Sequence, residues 1–247
     1  MIPIKDTIHS KSFPVVTWLL VIVNVLVFVL IELPLGQSRL NQLIATYGIT
    51  PSQCAAPILK GFSIASIPGV GVLFGGCAIP LITSMFLHGG WLHIIGNMWV
   101  LLIFGDNVED RMGSIPYFIF YMICGVVSGL TQAFIAPTSQ VPAIGASGAI
   151  AGVLAAYLVF YPRARVVTLI PIIIIPWFVN IPALIFILIW FLLQFFSGLS
   201  ALGGAASGGV AYWAHVGGFI CGLLLVWFFG GRSRNRPQAY PDEYHPW

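Results

Sequence analysis

The residues that can do chemistry in this chain lie in short polar stretches of an otherwise apolar sequence. His93 and Asn97 are four residues apart, so both side chains project from one face of a helix. Ser147 lies two residues after Gly145, and His215 lies near the start of a later apolar run. A serine hydroxyl is a poor nucleophile until a base takes its proton, and neutral histidine is the usual base. These residue types therefore indicate nucleophilic catalysis by Ser147 with His215 as general base.

Each of these polar residues also has a structural explanation when it is taken alone. A serine at the start of a helix is most often an N-cap, and an intramembrane histidine is often a packed, hydrogen-bonded residue. Asn97 can join two helices through its side-chain amide. His88, five residues before His93, is a loop residue, a partner at the helix start or a water-binding group.

The composition of the chain indicates a membrane protein. Hydrophobic residues make up 59% of the sequence and charged residues 7%, and the mean hydropathy is +0.99. A soluble domain has roughly 25% charged residues. The net charge of +3 is too small and too scattered to indicate a nucleic-acid partner. We therefore expect an all-α polytopic bundle in a lipid bilayer.

The apolar runs predict six transmembrane spans within a membrane domain at 13–230, flanked by cytoplasmic tails at 1–12 and 231–247. The spans are expected at about 13–35, 86–104, 115–136, 146–161, 181–199 and 210–229. The first run is too long for the apolar core of a signal peptide, so we interpret it as a retained span. The proline-containing stretch 166–180 is expected to be an interfacial connection or a re-entrant segment, and the C-terminal tail is expected to be disordered.

The basic residues predict the orientation. Of the 10 Lys and Arg residues, all but Arg39 and Lys60 fall on one side if the spans alternate, and that side is expected to be cytoplasmic. The predicted location is the cell (inner) membrane with both termini inside and a large external loop at 36–84. Cys54 and Cys77 lie in that loop, where they either form a disulfide or remain two unpaired thiols.

This topology brings the polar residues together. Spans 2, 4 and 6 run in the same direction, and each carries its polar residue near its outer start. Span 4 is only about 22 Å long against a hydrocarbon core of roughly 30 Å, so its Ser147 end is expected to be recessed. Small residues on spans 4 and 6 predict close helix contact. They are Gly148, Gly152 and Ala156 on span 4, and Gly218 and Gly222 on span 6. Independent structural residues need not share one depth, so the shared depth favours a common site.

A serine nucleophile also requires donors for the oxyanion. The backbone N–H of Ser147 is unpaired at the start of a helix, and the side chains of His93 and Asn97 can add two more donors. None of the seven acidic residues is expected near the outer start of spans 2, 4 or 6, so a Ser/His dyad is favoured over a triad.

At these residues the sequence resembles the rhomboid family of intramembrane serine proteases, and it is similar to the six-span bacterial members. The resemblance rests on the segments 88–97, 145–148 and 214–218, in that order. It implies Ser147 as nucleophile, His215 as general base, and His93, Asn97 and the Ser147 amide as oxyanion donors. It also implies that Gly145, Gly148, His88 and Gly218 support the site, and that no metal or organic cofactor takes part. The implied substrates are single-span or multi-span membrane proteins, with span 5 as a lateral gate.

The resemblance has two departures and leaves two alternatives. Many family members carry an aromatic residue four positions after the nucleophile, where this chain has Ala151. The Trp-Arg pair common in the first external loop is absent near Ile79 and Pro80. One alternative is a non-proteolytic relative that binds membrane spans. The other is a small transporter or metal channel with His88, His93 and His215 as ligands.

Overall fold

The computed structural model describes residues 2–59, 77–172, 175–202 and 209–230. Two predictions concern residues outside these ranges, namely the disordered tail at 231–247 and the part of the external loop that includes Lys60. The described residues form a helical bundle with a small antiparallel sheet.

The apolar runs form helices because a helix satisfies its backbone hydrogen bonds within the segment, as a lipid environment requires. The helices are α1 (Val15–Val27, continued by a π-helical turn over Phe28–Glu32), α2 (Gln37–Tyr47), α3 (Pro51–Leu59), α4 (Ala78–Thr83), α5 (Trp91–Met112), α6 (Ser114–Ile135), α7 (Ser147–Phe160), α8 (Ala183–Leu202) and α9 (Tyr212–Phe229). Among the described residues, the segment Val15–Glu32 and helices α5, α6, α8 and α9 are long and apolar enough to cross a membrane. Helix α7 corresponds to the short fourth span. The prediction of an all-α polytopic bundle is confirmed, and the chain is a multi-pass membrane protein.

The second span differs most from its predicted bounds of 86–104. Residues Ser84–Phe86 form a 3-10 turn, and α5 begins only at Trp91. The helix then continues through the charged stretch 106–111 to Met112, because those side chains find partners at the end of the bundle. Polarity alone therefore did not mark the end of this helix.

Helix α7 is the central helix of the bundle. Every residue from Gly148 to Tyr157 is buried, and no face of this stretch is open to lipid. Its 14 residues span about 21 Å, which is shorter than a bilayer core of roughly 30 Å. A helix enclosed by protein on all sides need not match the bilayer thickness, because its ends can meet protein or water inside the bundle.

Helices α7 and α9 approach as closely as the small residues predicted. A Cβ on Gly222 would lie 2.5 Å from the carbonyl oxygen of Gly152, and a Cβ on Gly218 would collide with the carbonyl oxygen of Gly148. Only glycine permits this backbone contact, which sets the spacing between the helix that carries Ser147 and the helix that carries His215.

The stretch 166–180 forms most of two β-strands, which the sequence did not predict. Strands β1 (Ile2–Asp6), β2 (Arg165–Ile172) and β3 (Ile175–Pro182) form an antiparallel sheet in the order β1-β2-β3. The prolines fit because Pro176 and Pro182 lie in the edge strand β3, and Pro171 lies beyond Leu169, where the pairing with β1 ends.

The N-terminal strand is held to the bundle by a buried polar cluster. Asp6 Oδ2 accepts hydrogen bonds from the Tyr157 hydroxyl at 2.6 Å and from Asn107 Nδ2 at 2.9 Å. Burial raises the pKa of Asp6 to about 7, and the hydrogen bond from Tyr157 only partly offsets this effect. Residues 2–6 thereby connect to both α5 and α7.

Glu109 and Arg111 have structural partners at the same end of the bundle. The Glu109 carboxylate accepts hydrogen bonds from the backbone N–H groups of Val16 and Thr17 at 2.9 and 2.8 Å, and from the Ser114 hydroxyl at 2.6 Å. It therefore caps the start of α1. The Arg111 guanidinium lies 5.7 Å from the centroid of the Phe160 ring. Glu109 thus belongs to a polar network at this end of the bundle.

The two loop cysteines form a disulfide. Cys54 in α3 and Cys77 just before α4 are bonded, with their Cα atoms 5.4 Å apart. Both residues are buried in a small cluster with Ile49 and Ala133. The disulfide therefore joins α3 to the residue just before α4, beside α6.

Candidate functional site

The hydroxyl of Ser147 contacts the ring of His215. Ser147 Oγ lies 2.6 Å from His215 Nε2, although the two residues are 68 positions apart in the chain. Ser147 is the first residue of α7, and the N-cap position is taken by Ala146, which makes no side-chain capping bond. The interpretation of Ser147 as an N-cap is therefore wrong, because its hydroxyl binds the histidine and not the helix.

The other ring nitrogen of His215 has a partner that the sequence analysis missed. His215 Nδ1 lies 2.8 Å from Oε1 of Gln194 on α8. A carbonyl oxygen can only accept, so the arrangement places the proton on Nδ1 and leaves Nε2 to accept from Ser147. Gln194 is a polar residue inside a predicted span, and the expectation that such residues are functional should have identified it.

His93 and Asn97 converge on Gly145. A Cβ at Gly145 would lie 2.6 Å from His93 Nε2 and 3.4 Å from Asn97 Nδ2, so both side chains face this position two residues before Ser147. Gly145 has a φ of 117°, which L residues with a side chain rarely adopt. Glycine at this position therefore permits both the turn into α7 and the close approach of His93.

The facing atoms of His93 and Asn97 are hydrogen-bond donors. The Gly89 N–H donates a long hydrogen bond of 3.4 Å to His93 Nδ1, which places the ring proton on Nε2. Asn97 is buried, and its Nδ2 has no hydrogen-bond partner within the described ranges. The backbone N–H of Ser147, in the first turn of α7, is a third donor nearby. Two side-chain donors that face Gly145 and one backbone donor at Ser147 thus line the same cavity.

The side chain of His88 packs against that of His93. Its side chain is fully buried, and its ring centroid lies 5.1 Å from that of His93. Burial, and to a smaller extent the neighbouring His93, lower the pKa of His88 to about 3, so the ring stays neutral near neutral pH. Of the three sequence-based explanations for His88, this geometry fits a partner of His93 at the start of α5.

Contrary to expectation, a carboxylate lies near the N-terminal end of the second span. Both carboxylate oxygens of Glu32 accept the His88 backbone N–H, at 3.0 and 3.1 Å. Glu32 ends the first span, and the chain places that end at the same level as the start of the second span. Its contact is with His88 and not with His215, whose Nδ1 partner is the neutral Gln194.

These groups line one cavity of about 910 Å³. The lining contains Ser147, His215, His93, Asn97 and Gln194, and apolar side chains make up much of the remainder. Its lining within the described ranges includes no Asp, Glu, Lys or Arg. No group of three or more His, Cys, Asp or Glu side chains in these ranges is arranged to hold a metal ion. The cavity therefore presents a hydroxyl, an imidazole bonded to it and neutral hydrogen-bond donors.

Comparison with known proteins identifies the family. The Rhomboid domain matches residues 76–232, which include every residue of the cavity described above except those before α4. The chain belongs to the rhomboid family. It is 29% identical over 151 residues to Rhomboid-like protein 11, chloroplastic, of Arabidopsis thaliana, which covers 59% of this chain and 50% of that protein.

Two further relatives give the same result. The rhomboid chain is 32% identical over 141 residues to Presenilin-associated rhomboid-like protein A, mitochondrial, of Danio rerio, covering 56% of this chain and 37% of that protein. It is 29% identical over 178 residues to RHOMBOID-like protein 4 of Arabidopsis thaliana, covering 66% of this chain and 39% of that protein. The chain thus spans half or less of the length of these curated relatives.

The departure from the rhomboid pattern at Ala151 has a structural counterpart. Ala151 is fully buried in α7 and supplies no ring beneath the base. The ring that lies beside His215 belongs to Trp190 on α8, with 5.9 Å between centroids and 36° between planes. Gly148 and Gly218 lie where α7 and α9 touch, and a Cβ on Gly148 would collide with Ser128 Oγ. His215 of this rhomboid is therefore bordered by α8, while α7 contributes Ser147 and close backbone packing.

Proposed function

We propose that this rhomboid protein is an intramembrane serine endopeptidase that uses Ser147 as nucleophile and His215 as general base. The observation that carries the proposal is the 2.6 Å contact between Ser147 Oγ and His215 Nε2 inside the cavity. Family membership suggests intramembrane protease activity, and the geometry of this pair supports its assignment to these two residues. Some rhomboid relatives are pseudoproteases, so the experiment must distinguish an active protease from a pseudoprotease.

The proposed reaction begins with attack of Ser147 Oγ on the carbonyl carbon of the scissile peptide bond. The hydroxyl proton moves to His215 Nε2, and a tetrahedral intermediate forms. His215 then gives that proton to the leaving amine as the C–N bond breaks, which leaves an acyl ester on Ser147. A water molecule attacks the ester carbonyl carbon and gives a proton to His215. The bond to Ser147 Oγ then breaks, His215 returns the proton to that oxygen, and the carboxylic acid product leaves. These steps use only protein groups and water.

The oxyanion of the tetrahedral intermediate is proposed to bind the N–H of Ser147, Nε2–H of His93 and Nδ2–H of Asn97. The support is the convergence of both side chains on Gly145, together with the unpaired state of the buried Asn97 amide. Donors fixed before reaction stabilise developing charge without reorganising, and removal of one such donor typically costs about 100- to 1,000-fold in rate. Gly145, Gly148, His88 and Gly218 are proposed to support these groups through the contacts described above.

The proposed substrates are single-span or multi-span membrane proteins, cut in or near a transmembrane segment. Rhomboid family members act on membrane proteins, and an apolar cavity within a bundle supports the same substrate class here. Helix α8 is proposed as the lateral gate, because only 17% of its most apolar 18-residue window is buried, the smallest share among the five long described helices. A helix with so little buried surface can be displaced at the lowest cost in packing.

We also propose the cell (inner) membrane as the location, with both termini cytoplasmic and the membrane domain at 13–230. The distribution of Lys and Arg supports this orientation. The Cys54–Cys77 disulfide supports an oxidising compartment on the side of the first loop. Several similar relatives carry chloroplastic or mitochondrial names, so labelling of single introduced cysteines at Ser38 and Arg163 with a membrane-impermeant reagent is the test.

The activity is tested with a fluorescently labelled single-span substrate in proteoliposomes. We expect cleavage by the parent protein and by Ser200→Ala, an exposed serine on α8, and no cleavage by Ser147→Ala or His215→Ala. A fluorophosphonate should label Ser147 in the parent and in the Ser200 variant, and a chelator should change nothing. Cleavage that survives in Ser147→Ala would contradict the mechanism. Absence of both cleavage and labelling in the parent, across several substrates, would favour a pseudoprotease that binds spans.

A further inference from the structure

We propose that Gln194 is the positioning residue for the base, and that α8 thereby holds His215 in its reactive tautomer. This inference rests on the proposed protease function. The geometry that motivates it is the 2.8 Å contact between Gln194 Oε1 and His215 Nδ1, on the side of the ring opposite Ser147.

The contact decides which ring nitrogen is free to act as a base. Neutral imidazole carries one proton, and either nitrogen can hold it. Gln194 Oε1 has no proton to give, so it stabilises the tautomer with the proton on Nδ1. In that tautomer Nε2 has a lone pair directed at the Ser147 hydroxyl, 2.6 Å away. In the other tautomer Nε2 carries a proton toward Ser147 and cannot accept one.

An amide suits this position better than a carboxylate. Gln194 lies within α8, a segment that is otherwise apolar and partly exposed to lipid. A carboxylate there would have to lose its hydration, whereas an amide oxygen accepts a hydrogen bond without a net charge. The neutral acceptor also explains why the described part of the chain can orient a base without an acidic residue in the cavity lining.

Helix α8 supplies a second contact to the same ring. Trp190 lies one helical turn before Gln194 and therefore on the same face, and its ring borders His215 at 5.9 Å between centroids. Ala151, fully buried on α7, offers no ring from the opposite side. The supports of the base thus come from α8, and the nucleophile comes from α7.

The first test measures the tautomer directly and does not depend on activity. Protein labelled with ¹³C and ¹⁵N in its histidines is reconstituted in lipid, and the His215 signals are identified by their loss in His215→Gln. We expect the Nδ1–H form in the parent, in Gln194→Glu and in the lipid-facing control Leu193→Ala. In Gln194→Leu, which keeps the bulk and removes the acceptor, the Nε2–H form should become populated. An unchanged Nδ1–H form in Gln194→Leu would overturn the inference.

The second test measures cleavage kinetics as a function of pH. We expect Gln194→Leu to lower kcat about 10- to 100-fold with little change in KM, as for a lost hydrogen bond to a reacting group. Gln194→Glu should be more active than Gln194→Leu at alkaline pH. The acid limb of its pH–rate profile should lie at higher pH than that of the parent, because the carboxylate stabilises the imidazolium. Ile115→Ala, at an exposed position on α6 away from the proposed gate, should match the parent.

The two proposals fail in different ways. Activity in the parent with kcat unchanged to within about threefold in Gln194→Leu would overturn the role of Gln194 and leave the Ser147/His215 function intact. A parent with neither cleavage nor fluorophosphonate labelling would overturn the function, while the tautomer comparison would still decide whether Gln194 orients the ring. Thermal unfolding of each variant in detergent separates a loss of positioning from a loss of folding.

Discussion

Replacement of Gly145 by alanine should abolish most of the activity while leaving the bundle folded. The added Cβ would lie 2.6 Å from His93 Nε2 and 2.7 Å from His93 Cε1, which is closer than real contacts allow. The His93 side chain can move more easily than the backbone at position 145, so we expect the His93 ring to rotate away from the site. A φ of 117° adds about 1–3 kcal/mol of backbone strain for a residue with a Cβ.

The size of the expected effect follows from the role of the displaced group. Loss of one oxyanion donor costs about 100- to 1,000-fold in kcat. The fall in kcat for Gly145→Ala should therefore reach about 100-fold or more, and the free energy of unfolding should fall by only the few kcal/mol of strain. The assay is cleavage of the single-span substrate in proteoliposomes, with thermal unfolding measured on the same preparation.

Gly36→Ala is the matched control. Gly36 precedes α2 with a φ of −67°, and a Cβ there would meet no atom within 4 Å. That variant should cleave at the parental rate. Parental activity in Gly145→Ala would refute the reasoning, because it would mean that His93 can be displaced from Gly145 without loss of transition-state stabilisation.

Three further predictions concern stability. Because burial raises the pKa of Asp6 from 3.8 to about 7, the folded state binds a proton more tightly than the unfolded state. This contribution is therefore fully present below about pH 4 and lost as the pH rises through 7. The thermal midpoint of Asp6→Asn should accordingly fall less between pH 5 and pH 8 than that of the parent, and parallel curves would argue against a raised pKa. Gly222→Ala should be about 1–3 kcal/mol less stable than the parent and should unfold at a lower temperature, since its Cβ would meet the backbone of Gly152 at 2.5 Å; equal midpoints would contradict the close packing. Cys54→Ser should cost about 2–4 kcal/mol through loss of the bond to Cys77, and reductant should lower the parent midpoint to the same value but leave the variant unchanged.

The positions of the spans could be predicted because their signal is local. Apolar runs long enough to cross a bilayer, separated by charges and turn residues, place α1, α6, α7, α8 and α9 within a few residues, whereas both ends of α5 differ and the loop helices α2, α3 and α4 were not predicted. The contact of α7 with α9 could also be predicted, since glycines such as Gly218 and Gly222 lie on one helical face. Both inferences use residues close in sequence and one strong constraint, the absence of water around the backbone.

The β-sheet could not be predicted because its pairing is not local. Strand β1 pairs with β2 across more than 150 residues, for example Ile2 with Leu169. Residues 2–6 carry few sequence signals of their own, and the prolines around β3 argue against a strand unless its place at the sheet edge is known. An edge position is a property of the assembled sheet and not of the segment.

Two polar residues were missed although the sequence contained the necessary information. Glu32 lies at the outer end of the first span, and successive spans alternate in direction, so it had to lie level with the start of the second span. Gln194 lies within the fifth span, where a polar side chain is costly unless it has a partner. Both residues lie on odd-numbered spans, whereas the expected site was built from the even-numbered spans 2, 4 and 6.

The contribution of α8 has a consequence for how the proposed site works. Ser147 sits on α7, which is enclosed by protein and has no lipid-facing side along its buried stretch. The contacts proposed to orient His215 come from α8, which carries exposed side chains such as Leu193 and Phe196 along its length. Movement of α8 away from the bundle would separate Gln194 Oε1 from His215 Nδ1, a contact of only 2.8 Å, while leaving the nucleophile in place. The geometry therefore ties the competence of the base to the position of α8, so that a displaced helix must return before the proposed acyl transfer can occur.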